Sequence, residues 1–498
     1  MSTGVVVPAP PTIAADQLGF FRWGRIDGKV LITTDGGDWV FLSEPEFAQL
    51  LAGEITEGHP RFAELQTGGF LRAGLDLDAL ATRLARRVAH VARGPELHVV
   101  AMSRRGDGRG APSAAPDARM DLDRQTAERI VDVALQTTSP SVSFELIGNT
   151  GEPLLNVDGV RHLVEFARAT NKRAAGKTLG FTLVSNLTHM TEETAEWLIA
   201  NDVAVRTWLD GPAELHDGNR RWTVAGAHAD VVRWIEWFDR RYRELGRDPE
   251  VWHVDGRVTT TRRTLTAWRA LVDEYVARGM RSLRLEPLSP LGFDAATWQT
   301  IGYTAEEYLT FYQRAFDYIV ELNRRGVHLA EATASTFLNN ILSAGDPAVG
   351  EIRSPCSAGT RELAYDVDGR VFPGDDARRV DASGDPIFAL GDVRKLTLGD
   401  IVRHPTVRAI AAASLLEAQP KCADCWNKPF CGISPVSSYV REGDLFGQRP
   451  RCFECREHMA IGRTLFALLA NEGDRETTDI LQRWTAGRGS VRWAAEKP

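Results

Sequence analysis

The first 355 residues of this 498-residue chain contain no cysteine. That absence excludes a disulfide framework or a thiolate metal centre built from the N-terminal part of the protein. No uninterrupted apolar run approaches the roughly 18 residues of a membrane-spanning helix, so no membrane association is expected. The opening residues, Met1 to Ala15, are small, apolar and Pro-rich. They have neither a basic start nor a sustained apolar core, which argues against a secretory signal and for a cytoplasmic protein with reduced thiols. A basic surplus is missing too: the net charge is −8, which leaves no electrostatic footprint for nucleic acid or acidic lipid. The run Arg104-Arg105 is too short to change that and reads as a solvated loop.

What is present is an ordinary globular composition, 43% apolar and 25% charged, in a chain long enough for about three domains. All six cysteines lie in its last third, five of them within 34 residues: Cys422, Cys425, Cys431, Cys452 and Cys455. A Cys-x2-Cys turn lets two sulfurs face one ion, and a second such turn about 20–30 residues on completes a four-thiolate set. Disulfides fit poorly in a reducing compartment, and packing alone does not explain paired cysteines in loops. The set therefore predicts a bound metal, either a [4Fe-4S] cluster or zinc.

Organisation follows from periodicity. Pro8, Pro10 and Pro11 break any element in residues 1–17, which are expected to be disordered. Residues 18–75 read as a small α+β unit: strands over 29–34 and 39–42 flank the turn Asp35-Gly36-Gly37-Asp38, and Ser43 with Glu46 makes a capping box. Residues 76–94 form a helical linker. From 95 to 330, strands over 97–102, 142–147, 179–185, 203–209, 251–259 and 283–288 alternate with amphipathic helices. Six such parallel units predict an α/β fold, a partial (β/α)6 barrel with its chemistry at the C-terminal ends of the strands. Residues 331–470 form a separate Cys-rich domain, and 471–498 a C-terminal helix and tail.

The strand ends carry the candidate site residues. After the second barrel strand come Gly151, Glu152 and Pro153; after the third, Ser185 and Asn186; after the fourth, Asp210, His216 and Asp217. Each is weak alone, and their placement at successive strand ends is what informs.

These motifs, together with the Cys-rich C-terminal region, resemble radical S-adenosylmethionine proteins with a SPASM domain. The likeness is strongest to the maturases of the His-Xaa-Ser peptide system, over 183–187, 209–219, 354–359 and 443–447. The resemblance implies modification of a ribosomally made precursor peptide. It also implies an N-terminal unit that takes a leader strand on its open edge, and a pocket for S-adenosylmethionine lined by Gly151, Glu152, Pro153, Ser185, Asn186 and Asp210.

Measured against that family, the chain has lost its reactive site. The family holds its catalytic cluster with a CxxxCxxC loop after the first barrel strand; here those positions are Gly106, Gly110 and Ser113. Glycine is no ligand and serine is a poor one for iron. Trp208 replaces a family serine, and Thr150 a glycine. Of two auxiliary clusters, one retains only Cys356, with Gly374 and Ser434 at the other ligand positions. The second retains Cys422, Cys425, Cys431 and either Cys452 or Cys455. The chain is thus expected to be a pseudoenzyme that binds a precursor peptide or a partner maturase, with S-adenosylmethionine binding in doubt. The alternatives are an active maturase drawing a cluster from its partner, and a non-radical enzyme using Glu152, Asp210, His216, Asp217, His253 or Asp375 at the barrel mouth. A bare protein-interaction scaffold is the third class.

Overall fold

The computed structural model describes residues 13–106, 120–148, 151–174, 176–220, 227–293, 295–343, 352–471 and 473–486. Residues 13–17, expected to be disordered, are held in place: Ala14 N donates to Leu51 O (2.8 Å), and Gln17 O accepts from Arg72 N (2.9 Å). The rest of the segment, residues 1–12, falls outside the described residues, as does the tail beyond 486.

The N-terminal unit has three strands rather than two. β1 (Arg22–Ile26), β2 (Lys29–Thr33) and β3 (Trp39–Leu42) form an antiparallel sheet in that order. β1 escaped the sequence reading because Arg22, Gly24 and Arg25 interrupt any apolar alternation. The helix Glu44–Ala52 starts at Ser43, where both bonds of the predicted capping box are present, and buries Phe47 and Leu50 on the sheet.

Ten further strands form one sheet. β4 (Leu97–Ser103), β5 (Ser141–Gly148), β6 (Thr178–Val184), β7 (Val203–Trp208), β8 (Asp255–Thr260) and β9 (Ser282–Pro287) pair in parallel and in chain order. These are the six expected strands of the barrel. β10 (Ala330–Glu331) continues the sheet beyond β9. On the other side β11 (Glu362–Tyr365) pairs parallel to β4, and β12 (Arg370–Phe372) and β13 (Gly391–Asp392) follow antiparallel. The expected boundary at 330/331 therefore cuts through a strand, and the Cys-rich segment shares the sheet of the barrel instead of standing apart.

Crossover helices such as Val157–Ala174, Ala227–Glu244 and Ala305–Arg324 bury their apolar stripes on the outer face, with Val100, Met102, Leu146, Leu183 and Leu285 beneath them. The opposite face carries Val99, Ile147 and Val184, covered by Ala377, Val380 and Val436 from the Cys-rich segment. That second face also bears charge, and it is where the site lies. Among the described residues no helix is long and apolar enough to cross a membrane.

Candidate functional site

The loop after β4 is fastened at both of its described ends. The β4–β5 register shifts between Ala101 and Ser103, and Ser103 Oγ then donates to Asp121 Oδ1 (2.7 Å) across the base of the loop. Arg104 reaches Asp366 (2.6 Å) and Asp368 (3.0 Å) beside β11 and β12, while Arg105 pairs with Asp121 (2.6 Å). Arg105 O accepts from Glu152 N at 2.9 Å, and a Cβ on Gly151 would lie 2.1 Å from that same carbonyl. Only glycine lets the two loops touch so closely. Gly106 follows, half-buried; Gly110, Ser113 and Thr150 lie outside the described residues.

Glu152 is 2% exposed and its carboxylate is fully engaged. Oε1 accepts from Leu154 N (3.0 Å) and Ser185 Oγ (2.7 Å), and Oε2 accepts from Asn186 N (3.0 Å). Ser185 and Asn186 thus meet Glu152, as their places at adjacent strand ends suggested. Pro153 opens the short 3-10 turn that the carboxylate caps. Instead of a free acceptor facing a ligand amine, Glu152 is the tie between two loops.

Asp210 is fully buried, accepting from Thr259 N (2.7 Å) and Arg220 Nε (3.0 Å). Burial pushes its carboxyl above the ordinary range despite the guanidinium of Arg220. His216 Nδ1 accepts from Asp210 N (3.1 Å), burial drives its imidazole down to about 3, and its buried Nε2 has no hydrogen-bond partner among the described residues. Asp217 caps the helix Ala227–Glu244 through His228 N (3.0 Å). His253 was placed at the mouth; it precedes β8 and sits at the other end of the barrel, with Nε2 3.2 Å from Asp255. The Arg220 guanidinium lies 5.3 Å from the centroid of the Trp208 ring, a cation–π contact.

The charged inner face was not legible in the sequence. Arg206, 1% exposed, donates to Glu145 Oε2 at 2.8 Å, and Arg257 Nη2 lies 3.9 Å from Glu145 Oε1. Burial raises the Glu145 carboxyl, but these two guanidiniums outweigh it and hold it below the usual range. Asp375 heads the helix Asp375–Ala382, its N–H donating to Glu362 (3.0 Å) and its carboxylate accepting from Arg378 (2.6 Å). Glu152, Asp210 and Asp375 are each engaged by separate partners, Ser185, Arg220 and Arg378. Period-2 alternation marks Arg206 and Arg257 as inward only once the register is known.

The two positions that the resemblance aligned with auxiliary-cluster ligands, Gly374 and Ser434, are helix starts. Gly374 is the N-cap of Asp375–Ala382, and Ser434 caps Pro435–Glu442 by accepting from Ser437 N (3.1 Å). Cys356 is buried among Ala364, Phe372 and Ile410.

The other five cysteines share one neighbourhood. Burial pushes the Cys422 thiol up to about 11 and Cys455 up to about 12, with the neighbouring thiols adding to both; Cys431 is raised as well. Cys452 caps the helix Phe453–Leu469 and accepts from the guanidinium of Arg449, while Cys431 lies 3.5 Å from His458 Nδ1. His458, three residues beyond Cys455, is a donor the sequence reading overlooked. Among the described residues no three His, Cys, Asp or Glu donors converge into a ligand group.

The N-terminal unit docks against this region. Arg22 reaches Ala423 O, Thr33 Oγ1 donates to Trp426 O (2.8 Å), and Asp35 accepts from Lys428 Nζ (2.7 Å). A Cβ on Gly24 would lie 2.4 Å from the Trp426 ring, so the bare backbone of β1 is what admits the indole. β1 pairs only with β2 among the described residues, and Phe20 and Trp23 beside it are 65% and 47% exposed.

No family model matches the chain, and no match was found among curated proteins. Solved structures do resemble it. Polyhistidine-tagged anSMEcpe with bound AdoMet superposes with a TM-score of 0.62 at 16% identity, covering 79% of this chain and 99% of that one. Native anSMEcpe with AdoMet and the Cp18Cys peptide gives 0.61 at 18% identity, over 76% and 100%. Streptococcus suis SuiB bound to S-adenosylmethionine gives 0.51 at 15% identity, over 88% and 99%. The chain thus carries the mixed α/β architecture of proteins solved with S-adenosylmethionine and, in one case, with a peptide.

Proposed function

We propose that the chain is a radical S-adenosylmethionine/SPASM-like protein of ribosomal peptide maturation, closest to the His-Xaa-Ser system maturases, that has lost its radical site. It acts as a peptide- or partner-binding subunit. One observation carries this reading: no thiol precedes Cys356, and the strand ends where three would be needed are tied together by Arg104, Arg105 and Glu152. The donor chemistry at Gly106, Gly110 and Ser113 does not fit an iron–sulfur cluster. The Glu152 carboxylate, the acceptor for a ligand amine in this family, spends its oxygens on Leu154, Ser185 and Asn186. Peptide recognition falls to the N-terminal unit, whose outer strand β1 offers an unpaired edge beside Phe20 and Trp23.

The C-terminal donors fit a metal by their chemistry: Cys422, Cys425, Cys431 and Cys452 or Cys455 supply four thiolates for [4Fe-4S] or zinc, with Cys356 left outside. Bound there, the metal would cross-link loops that hold little apolar core.

The test is anaerobic purification, reconstitution with iron and sulfide, and assay for 5′-deoxyadenosine with S-adenosylmethionine and reductant. None is expected, and turnover would overturn the reading. Metal analysis with an optical spectrum of fresh protein separates iron–sulfur from zinc.

A further inference from the structure

The inner wall of the barrel carries three arginines, Arg206, Arg257 and Arg284. Arg257 on β8 and Arg284 on β9 are direct register partners, and both side chains point to the face that also bears Arg206 and Glu145. Like charges directly opposite across a ladder repel, and a parallel pair holds them about 5 Å apart. Glu145 answers Arg206 at 2.8 Å and lies 3.9 Å from Arg257, which leaves Arg284. Among the described residues no side chain or carbonyl hydrogen-bonds its guanidinium, although it is largely enclosed. Burial first, and Arg257 second, pull the Arg284 pKa down, with Glu286 and Glu331 opposing only in part.

The other acids nearby are committed elsewhere. Glu331 accepts from Tyr312 (2.7 Å) and from Leu285, Thr333 and Ala334 N–H groups. Asp375 is held by Arg378. Glu286, one inward position further along β9, is exposed and faces the same space with Asp376. The wall therefore offers a paired guanidinium fork with acids at its rim. Guanidinium forks grip a planar carboxylate in bidentate fashion, and the acids at the rim repel a doubly charged anion more than a singly charged one.

We propose that Arg257 and Arg284 form a carboxylate-binding subsite for the peptide that this protein handles, taking either an acidic side chain or a C-terminal carboxylate. The assignment to a peptide rests on the function proposed above. The subsite needs neither a leader sequence nor S-adenosylmethionine, so it stands or falls separately from the 5′-deoxyadenosine assay.

The experiment uses the full chain and three short peptides by calorimetry: a blocked Gly-Ala-Glu-Ala-Gly, its Gln counterpart, and the Gln peptide with a free C-terminal carboxylate. A side-chain subsite binds the first about tenfold tighter than the second, and a terminal subsite binds the third tighter by that factor. Arg284→Gln is expected to abolish the preference and Arg284→Lys to keep part of it, with circular dichroism and melting to confirm folding. Arg257→Gln provides a second, independent loss. Equal affinity for all three peptides, no binding at millimolar concentration, or a preference that survives both Gln variants would overturn the proposal.

Discussion

Two regions of this molecule have parted company. At the mouth of the barrel, polar side chains are consumed in joining loops: Glu152 ties to Ser185, Arg104 to Asp366, Asp210 to Thr259. In the C-terminal loops the thiols remain grouped, raised by burial, with a histidine alongside. A site kept for ligands tolerates unsatisfied donors, whereas a site turned to structural use satisfies them internally. At the mouth the carboxylates of Glu152 and Asp210 are spent on the fold itself, whereas the cysteine region keeps its thiols side by side.

The largest effect should come from the cysteines. Cys425→Ser, measured by metal content and thermal melting, is expected to release the metal and lower Tm by about 10 °C or more. Since Ala423 and Trp426 hold β1 and β2, amide exchange in Arg22–Ile26 should accelerate in the same variant. A Tm unchanged by the substitution would erase the contrast between the regions.

Next comes Glu152→Ala, which strands Leu154 N, Asn186 N and Ser185 Oγ in the interior. Denaturant unfolding should show a loss of about 3–4 kcal/mol. A carboxylate reserved for a ligand would be removed at little cost, so a neutral result would return the mouth to the class of binding sites. Arg104→Ala leaves Asp366, whose side chain is 2% exposed, relying on Arg370, and about 2–3 kcal/mol is expected.

The smallest effect is read against pH. Burial drives His98, which faces Tyr365 at 3.0 Å, down to about 3. A histidine depressed in the folded state is protonated first in the unfolded chain, so stability falls as pH drops from about 6.5 toward 3. Between pH 6.5 and 5 that loss is about 1.6 kcal/mol. His98→Phe, which keeps a ring against Phe144 and Tyr365, should flatten this part of the stability–pH curve. An unchanged slope would mean that other groups dominate the acid limb.

Much of this was readable beforehand because it rests on local patterns. Six strand–helix alternations announced the parallel sheet, Ser43 with Glu46 announced its helix, and Cys-x2-Cys spacing announced the thiol group. β1 was missed because an edge strand carrying Arg22, Gly24 and Arg25 has no alternation to detect, its residues being chosen by Asp35 and Trp426 instead. His253 belongs to the opposite end of the barrel from the mouth, because β8 runs from Asp255 to Thr260 and His253 precedes it. The domain boundary at 330 failed for the same kind of reason: β11 joins β4 across 258 intervening residues, from Ser103 to Glu362, a pairing no local window contains.

The sequence alone determined the order of elements and the supply of sulfur, since hydrophobic period and residue identity are properties of the chain itself. Which carboxylates are spent and which guanidiniums are left facing one another was decided only in three dimensions. Register sets which side of a strand each residue occupies, and the neighbours of Glu152 and Arg284 come from segments distant in sequence. Burial then fixes the protonation of each group through surroundings that a linear reading cannot place.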